Sequence, residues 1–293
     1  MTQAVTFVDR LRERAHRLGG SLCVGIDPVL AEIPGHLERS AAGVRTYCLE
    51  LVEAVGPYVC AIKPNAAFFE ALGADGWGVL EEVVAAGKRR ALVVMDGKRG
   101  DIGHTAEAYA EAVFDRMGAD ACTVNGYLGR DAVQPFLDRP ERLAFVLCRT
   151  SNPGAGDLQD LVLADAATPL YLEVARQVAQ WSGASQWPTA GLVAGATWPT
   201  ELSRIRHVAP DLPILIPGIG AQGGDLKAAV AAAVGRQGTG QYLINVSRAV
   251  CRASSGRDFA EAAEQAARTY LGAISEAEAV SRAMHTGAEP STL

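Results

Sequence analysis

Short, almost continuously apolar runs recur along the chain at residues 22–27, 60–65, 92–98, 122–126, 144–150, 190–196, 214–220 and 242–247. Runs of this length without polar alternation are expected of strands covered on both faces, as in a parallel sheet. Between most of them the apolar positions switch to helical spacing, which predicts helices over 43–55, 66–86, 105–117, 168–181, 200–207, 225–234 and 258–271. In the third of these, Ala106, Tyr109, Ala110, Val113, Phe114 and Met117 share one stripe, the spacing of a core-facing side. The fourth repeat is the least regular, with 131–137 as its only helical piece.

Eight β/α alternations in 293 residues fit an α/β chain closed into a (β/α)8 TIM barrel better than an open doubly wound sheet. The opening MTQAVTFVDRLRERAHRLGG predicts an extra N-terminal amphipathic helix. No linker divides the chain, so 1–293 is expected to be a single barrel domain. Residues 182–188 read as a loop insertion, and 275–293 as a helical end running into a loose C-terminal tail (276–293).

Composition narrows the partners. A hydrophobic content of 49% with 20% charged residues describes a folded, enzyme-like protein. The net charge of −6 and the lack of a basic stripe argue against nucleic acid. No apolar stretch reaches the roughly 18–20 residues of a membrane span, and the N-terminus lacks the apolar core of a signal peptide. Six cysteines stand singly at 23, 48, 60, 122, 148 and 251. Four of them fall within apolar runs, which suits buried reduced thiols and a cytoplasmic protein. The histidines show no metal-ligand spacing, and dinucleotide and P-loop fingerprints are missing.

Candidate chemistry concentrates where the third run ends, in ALVVMDGKRGDIGHTAEAY at 91–109. Asp96 and Lys98 are two apart on a strand and share a face. Asp101 follows where strand gives way to helix. Two carboxylates near one ammonium would titrate as a coupled set; a salt-bridge cluster at a strand end and a catalytic array both fit that pattern.

Barrel enzymes build their sites at the C-terminal strand ends. Here those ends also carry Asp27, Lys63, Thr150 and Ser151, the segment PGIGAQGGD at 217–225, and Arg248. A lysine set directly behind Cys60, Ala61 and Ile62 calls for a partner if it is half-buried; a snorkelling side chain is the alternative. The glycine-rich seventh end beside Arg248 suits phosphate, and a tight strand-to-helix turn is the plainer reading. The polar loop CRTSNPGAGDLQDL after the fifth run is either a lid or an ordinary mobile loop.

Taken together, DGKRGDIGHT resembles the D-x-K-x-x-D-I-x-x-T signature of the orotidine 5′-phosphate decarboxylase family. VGIDP, IKPNAAFFE, TSNPG, PGIGAQGGD and the arginine after the last strand follow in that family's order over residues 22–248. The SNPG form and the extra length resemble its longer bacterial branch. The resemblance implies decarboxylation of orotidine 5′-monophosphate to UMP in pyrimidine synthesis, on a small nucleotide substrate, with neither metal nor organic cofactor.

It assigns Lys98 as proton donor to C6 of the pyrimidine and Asp96 as the neighbour of the substrate carboxylate. Asp27 and Lys63 would hold the ribose hydroxyls, Lys63 also completing the charged array. Ser151, Pro217 and Ile219 would line the pyrimidine, and Gln222 and Arg248 would grip the phosphate. It further implies a homodimer in which Asp101, with Ile102 and Thr105, enters the partner's site. Gly97, His104 and Ser247 depart from the usual pattern without removing a charge.

Overall fold

A computed structural model describes residues 5–164, 167–183, 188–220, 222–234 and 240–286. Eight parallel strands form a closed barrel: β1 (Leu22–Ile26), β2 (Ala61–Pro64), β3 (Leu92–Arg99), β4 (Ala121–Val124), β5 (Leu143–Arg149), β6 (Ala190–Ala194), β7 (Ile214–Pro217) and β8 (Tyr242–Val246). Neighbours in sequence are neighbours in the barrel, and β8 closes on β1 through Leu22 opposite Ile244 and Cys23 opposite Asn245. Each strand begins within a residue of its predicted apolar run and stops up to three residues earlier or one later than expected, because turn geometry rather than hydropathy ends it.

Strand side chains alternate between two cores. Val24, Ile26, Ile62, Val93 and Met95 face the surrounding helices. Cys23, Ala61, Leu92, Val94, Ala121, Phe145, Val193, Leu215 and Leu243 face the barrel axis. Helix Phe7–Leu18 plugs the N-terminal end of that axis with Phe7, Val8, Leu11 and Ala15, all buried. Its start is fixed by a reciprocal cap: Asp9 N–H donates to Thr6 Oγ1 at 3.2 Å, and Thr6 N–H donates to Asp9 Oδ2 at 3.0 Å. Gly19, at φ 74°, ends it. Burying Phe7 and Leu11 contributes about 1.5–3 kcal/mol each. Arg14 ties the plug down by donating to the carbonyls of Val59 at 2.7 Å and Gly56 at 2.8 Å.

Three expectations change. The helix expected over 66–86 is two helices, Ala66–Glu70 and Gly73–Arg90; Gly73 takes the left-handed φ of 69° at the break, while the apolar spacing runs through it. The helix expected over 105–117 is Gly103–Ala110 followed by a π-helical turn, Glu111–Arg116. The last helix runs from Phe259 to Thr286, so much of the expected tail is helix. Ile274, Ala277, Glu278 and Ser281 are buried there, Glu278 accepting the phenol O–H of Tyr242. The rest of that tail, and residues 184–187 of the expected loop insertion, lie outside the described residues. No helix among the described residues is long and apolar enough to cross a membrane.

Candidate active site

The same alternation that fills the barrel axis decides what sits at its mouth. Counting by twos from Cys23, Ala61, Leu92, Ala121, Leu215 and Leu243 leads to Asp27, Lys63, Asp96, Thr123, Pro217, Asn245 and Ser247. Polar groups therefore replace apolar ones on the inward face of most of these strands near their C-terminal ends, Pro217 on β7 being the exception among them.

Asp96 is the hub. Lys63 Nζ donates to Asp96 Oδ2 at 2.7 Å, and Lys98 Nζ donates to Asp96 Oδ1 at 2.6 Å. Thr123 Oγ1 also donates to Oδ1, at 2.9 Å, and accepts the Lys98 backbone N–H at 3.0 Å. Lys63 is only 4% exposed. Burial pulls its ammonium down, but Asp96 and Asp27 outweigh that and raise it above its ordinary value. Burial would likewise raise the Asp96 carboxyl, yet the ammoniums of Lys63 and Lys98 hold it well below its ordinary value. Lys63 and Asp96 are thus both charged across the neutral range.

Lys98 sits at φ 45°, in the left-handed region that side chains rarely adopt. The β3 pairing with β4 shifts register between Met95 and Arg99. Together these bend the strand end so that the Lys98 ammonium returns over Asp96, its side chain half-exposed toward the mouth.

Asp101 does not join this array. The expected pair of carboxylates around one ammonium is instead one carboxylate between two ammoniums. Asp101 Oδ1 accepts the Ile102 N–H at 2.8 Å, and no ion pair joins it to Lys98 among the described residues. The physical reason is that β3 continues to Arg99 and the chain then turns outward, leaving Ile102 59% exposed and Thr105 exposed on the following helix.

Asp27 stands beside this array. Ser247 Oγ donates to its Oδ2, and its Oδ1 is buried with no protein donor among the described residues. Gly25 makes room for this pair: a Cβ there would lie 2.0 Å from Ser247 Oγ.

Across the mouth, Gly218 at φ 108° lets the β7 end turn. A Cβ on it would meet Gln222 Oε1 at 2.9 Å and Ser151 Cβ at 3.4 Å, so those two side chains converge on one spot. Ile219 is buried and bridges Gly224. Arg248 is exposed at the start of the short helix Arg248–Cys251 directly after β8. Gly220 lies 3.3 Å from Ala249 by the same Cβ measure, which joins the seventh and eighth ends.

Two site groups escape sequence reasoning. Thr123 looks like an ordinary β-branched strand residue, and only the strand alternation marks it as inward. Arg149 looks like the first residue of a polar loop, but it is buried. Among the described residues no group of three His, Cys, Asp or Glu side chains is placed to hold a metal ion.

The chain is similar to known proteins over most of its length. The model of the orotidine 5′-phosphate decarboxylase / HUMPS family matches residues 20–266. Proteins named orotidine 5′-phosphate decarboxylase from Roseiflexus castenholzii and Herpetosiphon aurantiacus are 49% and 47% identical, over 93% and 90% of this chain and 98% and 96% of theirs. Among solved structures, OMP decarboxylase from Leishmania donovani superposes with a TM-score of 0.77 at 42% identity, covering 92% of this chain and 99% of that one. UMP synthase from the same organism gives 0.80 at 43% identity, covering 93% of this chain and 57% of its own. The chain belongs to the orotidine 5′-phosphate decarboxylase / HUMPS family.

Proposed function

We propose that this chain decarboxylates orotidine 5′-monophosphate to UMP, and that Lys98 protonates the product carbanion. The observation that carries this reading is Asp96 holding two lysine ammoniums at the barrel mouth. Loss of CO2 from C6 leaves a carbanion that the ring carbonyls do not delocalise, so positive charge must already be in place. Lys98, fixed by Asp96 and by the bent end of β3, can stabilise that charge and then deliver its proton. Asp96 would sit beside the substrate carboxylate. Its like charge can disfavour the ground state, a smaller role than holding Lys98.

The other contacts follow from what each group has left to offer. The unbonded Oδ1 of Asp27 suits a ribose hydroxyl, with Lys63 beside it. Ser151, Pro217 and Ile219 form the pyrimidine side. Gln222 and Arg248 take the phosphate, whose remote binding energy orders the reacting end. The six cysteines are buried and free, and burial pushes the Cys23 thiol up to about 12; this supports inert, reduced thiols in a cytoplasmic protein.

The outward course of Asp101 supports a shared site in a homodimer. Asp101, Ile102 and Thr105 would enter the partner's mouth, where Asp101 would complete the charge around Lys98. Exposed Tyr127 and Leu128 after β4 add apolar surface near that edge. Mixing Asp101→Ala and Lys98→Ala subunits, each inactive alone, is expected to regenerate activity once subunits exchange. One site in the hybrid then carries both residues. Inactive mixtures with demonstrated exchange would count against the shared site.

The reaction itself is tested by following the absorbance of orotidine 5′-monophosphate after adding purified protein in EDTA. Full turnover in chelator is expected. Turnover that disappears with EDTA and returns with magnesium would point to metal-dependent sugar-phosphate chemistry within the same family. The array argues against that outcome, since both oxygens of Asp96 are already occupied by cations.

A further inference from the structure

β5 ends in an arginine that the reaction above leaves without a role. Arg149 is 3% exposed. Its Nε donates to Asp160 Oδ1 at 2.8 Å, its Nη2 to Asp160 Oδ2 at 2.9 Å, and its Nη1 to the Thr150 carbonyl at 2.9 Å. The guanidinium also lies 4.5 Å from the centroid of the Trp198 ring. A fork filled by one carboxylate, with an indole on its face, fixes the group in one orientation that a lysine could not reproduce.

A second tie runs beside the first. Thr150 N–H donates to Gln159 Oε1 at 2.9 Å, and Gln159 Nε2 donates to Thr150 Oγ1 at 3.0 Å. The chain thus leaves β5 and comes back to it, so residues 150–159 form a loop stapled at its base.

Ser151 is the residue this staple places. A Cβ on Gly195, just past β6, would lie 2.8 Å from both Cα and Cβ of Ser151. Gly195 N–H donates to the Arg149 carbonyl at 2.7 Å. With Gly218 on its other side, Ser151 is wedged between the ends of β6 and β7, and the staple sets its position from behind.

We propose that Arg149, acting through Asp160, is a positioning residue that holds Ser151 against the bound nucleotide. The proposal rests on the reading of Ser151 as a substrate contact. Asp160 is half-exposed while Arg149 is buried, so Asp160→Asn removes the counter-charge at a side chain that water reaches and keeps an oxygen to accept from the guanidinium. Its melting temperature is read beside its turnover, since the buried arginine loses its charged partner.

Its kcat/KM is expected to fall about 10–100-fold, the scale of a small misplacement near the reacting atoms, and Asp160→Glu recovers part of it. Because Asp160 acts through Ser151, the double variant Ser151→Ala/Asp160→Asn is expected to lose no more than Ser151→Ala alone. Additive losses, or wild-type kcat/KM in Asp160→Asn, would overturn the proposal. Hydrogen exchange reads the staple without turnover: faster exchange in Asp160→Asn confined to residues 150–159 supports it, and unchanged exchange refutes it. A wild-type chain that makes no UMP while exchange responds as expected places the failure in the proposed reaction, not in the staple.

Discussion

Lys98→Ala is expected to lower UMP formation by at least about 10^4-fold, the combined reach of a proton donor and a preorganised charge, while the barrel still folds. The two halves of this expectation have different causes. Reactions near the slow extreme need on the order of 20 kcal/mol of transition-state stabilisation, and Lys98 is the ammonium whose side chain reaches out of the buried array toward the mouth. Folding survives because Asp96 keeps Lys63 and Thr123 as donors, so no buried charge is stranded. Activity within tenfold of wild type would remove Lys98 from the chemistry. Backbone strain supplies a companion measurement. At φ 45° glycine is at ease and alanine is not, so Lys98→Gly should melt higher than Lys98→Ala by an amount corresponding to about 1 kcal/mol. Both variants are expected to be inactive, which separates strain held for function from stability.

Most of this site was legible because one rule governs both the core and the mouth. Strands buried on both faces read as unbroken apolar runs, and the first charged residue on the inward parity of each run marks the mouth; Asp27, Lys63 and Asp96 follow from that alone. Lys98 was found for a partly mistaken reason. It meets Asp96 through a left-handed residue and a register shift, not through the regular pleat that the two-residue spacing assumes. Asp101 lies close to the array in sequence, but after β3 the chain turns it outward, the course that a residue lent to a partner subunit would take. Arg149 falls on the inward parity of its own run, but the register shifts between Leu147 and Arg149 and its partner Asp160 lies across a loop, so its pairing is not visible in any local pattern. The π-helical turn at Glu111–Arg116 shares its apolar spacing with an α-helix, so periodicity passes over it.

Asp96→Asn is expected to destabilise the fold by about 3–5 kcal/mol at pH 7, because it leaves the Lys63 ammonium buried without its partner. The pH dependence follows from the directions of the two shifts. Asp96 is held below its ordinary 3.8, so its contribution is fully present above that value and is lost as pH falls through the lower folded value. Lys63 is raised above 10.5, so its contribution is present below that value and disappears only as pH rises past the folded one. Urea unfolding should therefore show the full gap between wild type and variant at about pH 5 to 7, narrowing below 3.8 as Asp96 loses its charge and narrowing again toward alkaline pH. In the variant, burial acts on Lys63 with Asp96 gone, its pKa drops, and stability climbs with pH as the ammonium deprotonates. Equal stabilities at pH 7, or a gap unchanged at pH 3, would defeat the assignment. Adding Lys63→Met to Asp96→Asn removes the stranded charge and should recover most of the loss, while turnover stays abolished. A barrel that is stable without the array and inert without it would show that the two lysines and their carboxylate are kept for the chemistry at C6, not for the fold.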